Sequence, residues 1–375
     1  MRIVLTGGGT GGHFYPLLAV ADSIQDIVKT ERLVPAEIYF VSDSPFSEGL
    51  LYEHGVRLKI IKTGKLRRYF SIKNISDAIR TPFAIIKAIF FLFRTYPDVV
   101  FGKGGYASFP TIWAARFLNI PVVIHESDTV PGRVNLWAGK FADRIAVSYK
   151  EASKYFPEKK VAWTGNPIRQ SIAVPAAEGA TEYLHLEEIT PTILILGGSL
   201  GSEKINDVIL QALPDIVKNY QVIHQTGRNN FDSVSSLAAV ILQNNEYKSR
   251  YKVFAYLDDL ALRMAAGAAH IVVTRAGSAL FEIAAWGVPA IVVPITDSNG
   301  DHQRENAFAF SRAGACTVIE ESNLTPHVLV SEMVRLTTDK EAYAKMQAGA
   351  KSFTRLDASH AIAKELISIA LAHEQ

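Results

Sequence analysis

Three glycines, Gly7, Gly9 and Gly12, follow the apolar run Ile3-Val4-Leu5 and precede a helical pattern, and His13 comes directly after them. Glycines at a strand-to-helix turn let the backbone approach a phosphate, whose charge the first amides of the helix favour. A histidine at such a helix start is largely neutral near pH 7 and can take a proton from a hydroxyl. It can equally cap the helix or bond a neighbouring backbone group. The spacing formally matches a dinucleotide fingerprint, but the acid that would hold a ribose about 20 positions on is missing. The first candidate after the second strand is Asp43.

Further strand-to-helix turns carry chemistry. Gly197-Gly198-Ser199-Leu200-Gly201 follows the run Ile193 to Leu196, and Thr274-Arg275-Ala276-Gly277-Ser278-Ala279-Leu280-Phe281-Glu282 follows Ile271-Val272-Val273. In the latter, Ser278 reads as a helix cap. Glu282, one turn in, can take both hydroxyls of a ribose or simply favour the helix N-terminus. Asp301-His302-Gln303-Arg304-Glu305-Asn306 is either a solvated helix start or a site for sugar hydroxyls; no partner stands at a metal-ligand spacing. Arg169, in Gly165-Asn166-Pro167-Ile168-Arg169, can clamp a phosphate or pair with a surface acid.

Short β-branched runs alternating with helical segments position these residues. Strands are expected at Ile3–Leu5, Ile38–Val41, Val99–Phe101, Val122–Ile124 and Ile145–Val147. In the second half they are expected at Ile193–Leu196, Gln221–His224, Ile271–Val273, Ala290–Val293 and Thr317–Ile319. Apolar strands of this kind belong to parallel sheets covered on both faces. The two halves begin alike, and 171–190 lacks a clear period. The expected fold is α/β, two Rossmann-like domains facing across a cleft, with ligands at the carboxyl ends of both sheets.

With 375 residues the chain is long enough for two such domains. The net charge of +2 does not suit a polyanion, so nucleic acid is not an expected partner. Cys316 is the single cysteine, which excludes an intrachain disulfide and a cysteine-built metal site; it lies in an apolar run that reads as a buried strand. No apolar stretch reaches the roughly 20 residues of a membrane span, and the N-terminus is not built as a secretory signal. The expected location is cytoplasmic.

A basic segment complicates that picture. Lys65, Arg67, Arg68, Lys73, Arg80, Lys87 and Arg94 lie in one stretch. At 100° per residue Lys73, Asp77, Arg80, Lys87 and Arg94 form a polar stripe, with Ile85, Ile89 and Leu92 opposite, facing the core. Phe83, Phe90 and Phe91 flank the cations, a pattern suited to an anionic bilayer surface or to packing under neighbouring loops.

In order along nearly the whole chain, these motifs resemble the MurG family of peptidoglycan glycosyltransferases. The resemblance is carried by Gly7 to His13, Gly104-Gly105-Tyr106-Ala107-Ser108, His125-Glu126, Gly165 to Arg169, Gly197 to Gly201, Asp258-Asp259, Arg275 to Glu282 and Asp301 to Asn306. It implies a GT-B fold with an acceptor- and membrane-binding domain over 1–168, a nucleotide-binding domain over 169–354, and a final segment, 355–375, returning to the first. It implies transfer of GlcNAc from UDP-GlcNAc to lipid I, giving lipid II, without a cofactor or metal. The enzyme would sit on the anionic inner face of the cytoplasmic membrane, beside other cell-wall synthesis proteins. UDP-GlcNAc would be contacted by Thr10, Gly11, Gly12, Asp128, Arg169, Ser199, Leu257 through its backbone, Ser278, Ala279, Leu280, Phe281, Glu282 and Gln303. His13 would be the base, with Tyr106 and Glu126 near the acceptor. The chain departs from the family pattern at Ser127-Asp128, where Gln-Asn is usual, at Leu200, where Gln is usual, and in a loop before Glu282 that is one residue shorter. A UDP-sugar epimerase of the same fold, a nicotinamide oxidoreductase and a non-catalytic UDP-GlcNAc-binding scaffold are the rival readings.

Overall fold

The computed structural model describes residues 1–8, 10–64, 73–198, 200–296 and 299–372, with 73–76, 78, 79 and 299 described by their backbone alone. The chain forms two compact units, Met1–Arg169 with Arg355–Gln375, and Gln170–Thr354.

The first unit is built on seven parallel strands: β1 (Arg2–Thr6), β2 (Glu37–Ser42), β3 (Arg57–Ile60), β4 (Val99–Gly102), β5 (Val122–Glu126), β6 (Arg144–Val147) and β7 (Val161–Trp163), in the order β3-β2-β1-β4-β5-β6-β7. The second unit has six: β8 (Thr192–Leu196), β9 (Gln221–Gln225), β10 (Tyr251–Phe254), β11 (Ala269–Thr274), β12 (Ala290–Val292) and β13 (Cys316–Val318), in the order β10-β9-β8-β11-β12-β13. Each unit is therefore a parallel-sheet α/β domain, the expected fold class.

Both faces of each sheet are covered, which is why the central strands read as continuous apolar runs. Along β1, Ile3 and Leu5 join the cluster under the helix Gly11–Thr30, while Val4 joins the cluster under Lys73–Thr95 and Phe109–Phe117. Along β8, Ile193 and Ile195 face the helices Glu203–Asn219 and Pro326–Thr338, and Leu194 and Leu196 face the opposite layer. Three strands escaped the sequence reading, and all three are edges: β3, β7 and β10. Their residues are half-buried or exposed, so the dense apolar signal of a central strand is absent. Cys316 opens β13 and is buried, and burial pushes its thiol well above the ordinary range, leaving it inert.

The helix Ala358–Ala372 belongs to the first unit. Ile362, Ala363, Leu366, Ile367 and Ala370 pack into the same cluster as Leu17, Val20 and Ile24 of Gly11–Thr30. At the point of return Gly165 holds φ +82, and a Cβ there would come within 2.9 Å of the Arg355 Cβ. Leu366 is fully buried. Its truncation to Ala should destabilise the first unit by about 2–5 kcal/mol, measured as a lower denaturant midpoint for that unit's transition with the second unit's unchanged.

Candidate functional site

In the first unit β1 runs into Gly7 and Gly8, and Thr10, extended at φ −94 and ψ 152, starts the helix Gly11–Thr30. Gly9 lies outside the described residues. The His13 amide donates to the Thr10 carbonyl at 3.0 Å, and its Nδ1 lies 3.3 Å from the Thr10 hydroxyl. A Cβ on Gly8 would sit 2.9 Å from His13 Nδ1, and one on Gly105 would sit 3.6 Å from His13 Cε1. The half-buried imidazole therefore lies against two stretches of bare backbone, from the loops after β1 and β4. Any side chain on Gly8 would displace it.

Tyr106, in the loop after β4, donates to Asp43 at 3.4 Å, and the other Asp43 oxygen accepts the Thr63 amide at 2.9 Å. Asp43 thus joins loops leaving three strands, a role that its position after β2 did not announce.

Glu126 ends β5 and is buried. One carboxylate oxygen accepts the Asp128 amide at 3.0 Å; the other accepts the Gly132 amide at 3.0 Å and the Asn135 side chain at 2.9 Å. These bonds brace its own loop. Burial, then the neighbouring Asp128 carboxylate, push Glu126 well above the usual carboxylate range, against those three bonds. Asp128 is half-buried beside it.

Beneath these loops lies a charged group that sequence reasoning passed over. Lys103 is buried, and its amine donates to His125 Nδ1 at 2.8 Å and to Asn166 Oδ1 at 3.0 Å. His125 Nε2 then donates to the Gly165 carbonyl at 3.1 Å, with the Ser148 hydroxyl 3.3 Å away. Burial lowers Lys103 to about 7, opposed by Glu126 and Asp128. His125 is held well below its ordinary value by burial, then by Lys103; the Gly165 bond opposes this and His13 adds to it. Arg169 is also buried, its guanidinium 3.8 Å from the centre of the Tyr15 ring.

In the second unit the turn after β8 is as bare as that after β1. Gly201 (φ +80) and Gly227 (φ +87) interlock: a Cβ on either would collide with the backbone of the opposite turn. Ser199 lies outside the described residues, and Leu200 is exposed. Leu257 is buried; its amide donates to Gln225 Oε1 at 2.9 Å, while Gln225 Nε2 donates to the Gly198 carbonyl at 3.4 Å. Only the Leu257 carbonyl can accept a bond from a ligand. Gln225 was not singled out from sequence, although its place at the end of β9 is a signal for a residue at the ligand-bearing edge.

The helix Ala279–Trp286 starts without the expected cap: Ser278 is helical at φ −61 and ψ −20, and its side chain makes no capping bond. Leu280 and Phe281 are buried in the core, Phe281 against Phe353 at 5.4 Å, so a ligand would meet their backbone and not their side chains. Ser278, Ala279 and Glu282 remain partly exposed. Gln303 Oε1 accepts the Ile295 amide at 3.2 Å, and buried Asn306 donates to the Ala276 carbonyl at 3.1 Å. Arg275 braces three loops: it donates to Ser202 at 3.0 Å and to the Val293 carbonyl at 3.1 Å, and pairs with Glu321.

Two domain matches span these features. Residues 3–147 match the glycosyltransferase family 28 N-terminal domain, and residues 192–362 match the family 28 C-terminal domain. A UDP-N-acetylglucosamine--N-acetylmuramyl-(pentapeptide) pyrophosphoryl-undecaprenol N-acetylglucosamine transferase of Halothermothrix orenii is 36% identical over 358 residues, covering 94% of each chain. The chain belongs to the MurG family of glycosyltransferases. Among solved structures, Acinetobacter baumannii MurG aligns with a TM-score of 0.71 at 24% identity, over 98% of this chain and 100% of that one. The UDP-GlcNAc 2-epimerase of Neisseria meningitidis, bound to UDP-GlcNAc, aligns with a TM-score of 0.68 at 15% identity, over 98% and 100%. At these identities the alignments speak for a shared fold. Membership of the MurG family makes the Gly7–Gly12 turn part of a glycosyltransferase and removes the nicotinamide reading.

This MurG-family chain also carries an apolar surface on the helix Lys73–Thr95. Phe83, Ile86, Phe90 and Phe93 recur at helical spacing and are each more than 60% exposed. Arg80, Lys87 and Arg94 are exposed beside them. The stripe differs in detail from its sequence expectation. Phe91 packs inward against Tyr39 at 5.7 Å, Asp77 is buried, and Ile85 and Ile89 are only half-buried above buried Leu92. Lys65, Arg67 and Arg68 lie outside the described residues, as does the Lys73 side chain. The adjoining helix Phe109–Phe117 adds exposed Phe117, stacked on Trp113 at 5.6 Å. No helix among the described residues is long and apolar enough to cross a membrane.

The Lys103 cluster has a measurable thermodynamic signature. Its amine is lowered from 10.5 to about 7 on folding, so between those values the unfolded chain binds more protons than the folded one. The burial penalty is then fully present below pH 7 and fades as pH rises toward 10.5. At about 1.4 kcal/mol per unit, the first unit should gain roughly 5 kcal/mol across that window. Denaturant unfolding at successive pH values should show this rise in the wild type, and Lys103→Met should flatten it.

Proposed function

We propose that this chain transfers GlcNAc from UDP-GlcNAc to the 4-hydroxyl of MurNAc in lipid I, with inversion and without a metal, giving lipid II. The observation that carries the reading is the placement of His13, half-buried against Gly8 and Gly105 at the head of the first helix. With Nδ1–H directed at Thr10, Nε2 carries the lone pair that takes the acceptor proton. The acceptor oxygen forms its bond to the anomeric carbon as the bond to UDP breaks, and the electron pair leaves with the diphosphate. Tyr106, set by Asp43, orients the acceptor; Glu126 acts by holding the 127–132 turn.

The second unit is the nucleotide holder in this reading. Glu282 takes the ribose hydroxyls, Leu257 offers its carbonyl to the base, Gln303 reads the sugar, and the backbone from Ser278 to Phe281 contributes amides. The diphosphate charge is met in this unit by those amides; Thr10, Gly11, Gly12 and Arg169 of the first unit keep the donor contacts that the resemblance implies. Ser199 keeps its role from the resemblance. Asp128, a carboxylate where the family has an amide, presents a charge in place of a donor and acceptor pair.

The deciding experiment is UDP release from UDP-GlcNAc with and without lipid I. Release that depends on lipid I is expected. Consumption of UDP-GlcNAc without an acceptor would favour an epimerase, and binding without turnover a scaffold. His13→Ala should lower kcat by roughly 10²–10⁴-fold with UDP affinity unchanged; an active variant would remove His13 from the chemistry.

The acceptor is a lipid, and the exposed Phe83, Ile86, Phe90 and Phe93 with Arg80, Lys87 and Arg94 form a surface suited to the anionic inner face of the cytoplasmic membrane. Each phenylalanine inserted contributes about 1.5–3 kcal/mol. Phe83→Glu with Phe90→Glu should weaken sedimentation with anionic vesicles at least tenfold and leave thermal stability unchanged. Binding equal to wild type would exclude this face.

A further inference from the structure

The Lys103 cluster is an expensive arrangement that the proposed chemistry does not use directly. An ammonium is taken out of water into a site whose partners are an imidazole nitrogen and an amide oxygen, with no carboxylate among the described residues bonded to it. A methionine of similar length would fill the space without that penalty. Local rules broken at a cost without a packing return are found where function is served.

The cluster's location says which function. Lys103 follows β4, His125 lies in β5, Ser148 follows β6, and Asn166 follows β7, so one amine and its partners join the carboxyl ends of four neighbouring strands. The Asn166 side of the cluster leads in three residues to Arg169. Its other side lies under the base: Cβ positions built on Gly7 fall 3.6 Å from both the Lys103 Cβ and the His13 Cβ. Lys103 and His13 thus both pack on Gly7 through their Cβ atoms, and His13 is near enough to His125, the amine's partner, to act on its charge. The remaining titratable groups around the amine are His125 and Glu126 of β5 and Asp128 of the following loop.

We infer that Lys103 is a positioning residue for proton transfer. Through His125 and Asn166 it fixes the floor on which the His13 turn rests, and its positive charge beneath that turn disfavours protonation of the base. This rests on the reading of His13 as the base. The amine is buried and committed to His125 and Asn166, so it acts through its neighbours. A cation so placed works in one direction: it keeps neighbouring imidazoles neutral, and the two carboxylates keep the cation itself from being lost altogether.

The test uses the full-length chain with UDP-GlcNAc and lipid I. Lys103→Met should be at least as thermally stable as wild type, with the KM for UDP-GlcNAc within about twofold. Its kcat should fall roughly tenfold or more, and the acid limb of its kcat profile should move to higher pH by at least about half a unit. Lys103→Gln, which restores a hydrogen-bond donor without charge, should recover part of kcat at optimal pH but leave the acid limb displaced. A Lys103→Met enzyme with wild-type kcat and pH profile would overturn the inference. So would a variant whose stability and affinities for both substrates collapse together, which would make Lys103 a structural strut; so would a Gln variant that restores the limb. If wild type itself transfers nothing to lipid I, the functional proposal fails. If wild type transfers and His13→Ala is inactive while Lys103→Met is normal, only this inference fails.

Discussion

In a parallel sheet all strands end on the same edge, and the loops leaving those ends must crowd one another. Both units meet this constraint by removing side chains. Gly7 and Gly8 bring bare backbone against the His13 ring and Leu17, and Gly201 and Gly227 mesh two turns where a single Cβ would collide with a carbonyl. Polar side chains then replace the missing packing, tying loop to loop. Lys103 does this in the first unit, and Arg275 with Glu321 in the second. Every residue with a proposed chemical role hangs from one of these two edges.

The consequence is a division between residues that meet ligands and residues that hold them. Glu126 illustrates it: a carboxylate in the right neighbourhood, yet committed to the amides of its own loop. Leu280 and Phe281 in the second unit likewise give their side chains to the core, so that in the proposed donor site they have only backbone to offer. In the proposed sites, contact with a substrate is therefore a property of the peptide group at such positions and not of the side chain.

This division also explains what was legible in the sequence. The central strands, the glycine turns and His13 are local signals, each contained within a dozen residues, and they gave both the architecture and the family resemblance. The exposed phenylalanines of Lys73–Thr95 were half legible: period showed an amphipathic helix, but which aromatic turned inward depended on Tyr39, an unrelated part of the chain. Lys103 was invisible. A lysine between glycines reads as a surface charge, and its partners lie 22 and 63 positions away. The distant partners of Asp43, Gln225 and Arg275 were hidden for the same reason. The edge strands β3, β7 and β10 were missed because half-covered residues do not carry an apolar run, whereas the edge strand β13 opens on buried Cys316 and was legible.

The return of the last helix to the first unit has a consequence for how the molecule is made. The first unit is discontinuous, closed only when Ala358–Ala372 covers the helix Gly11–Thr30. On the ribosome, Gln170–Thr354 emerges with its whole sheet and can complete its fold while the first unit still exposes Leu17, Val20 and Ile24. The portion synthesised first is finished last, and the proposed base on that same helix sits in a complete domain only once Ala358–Ala372 has been made and has docked.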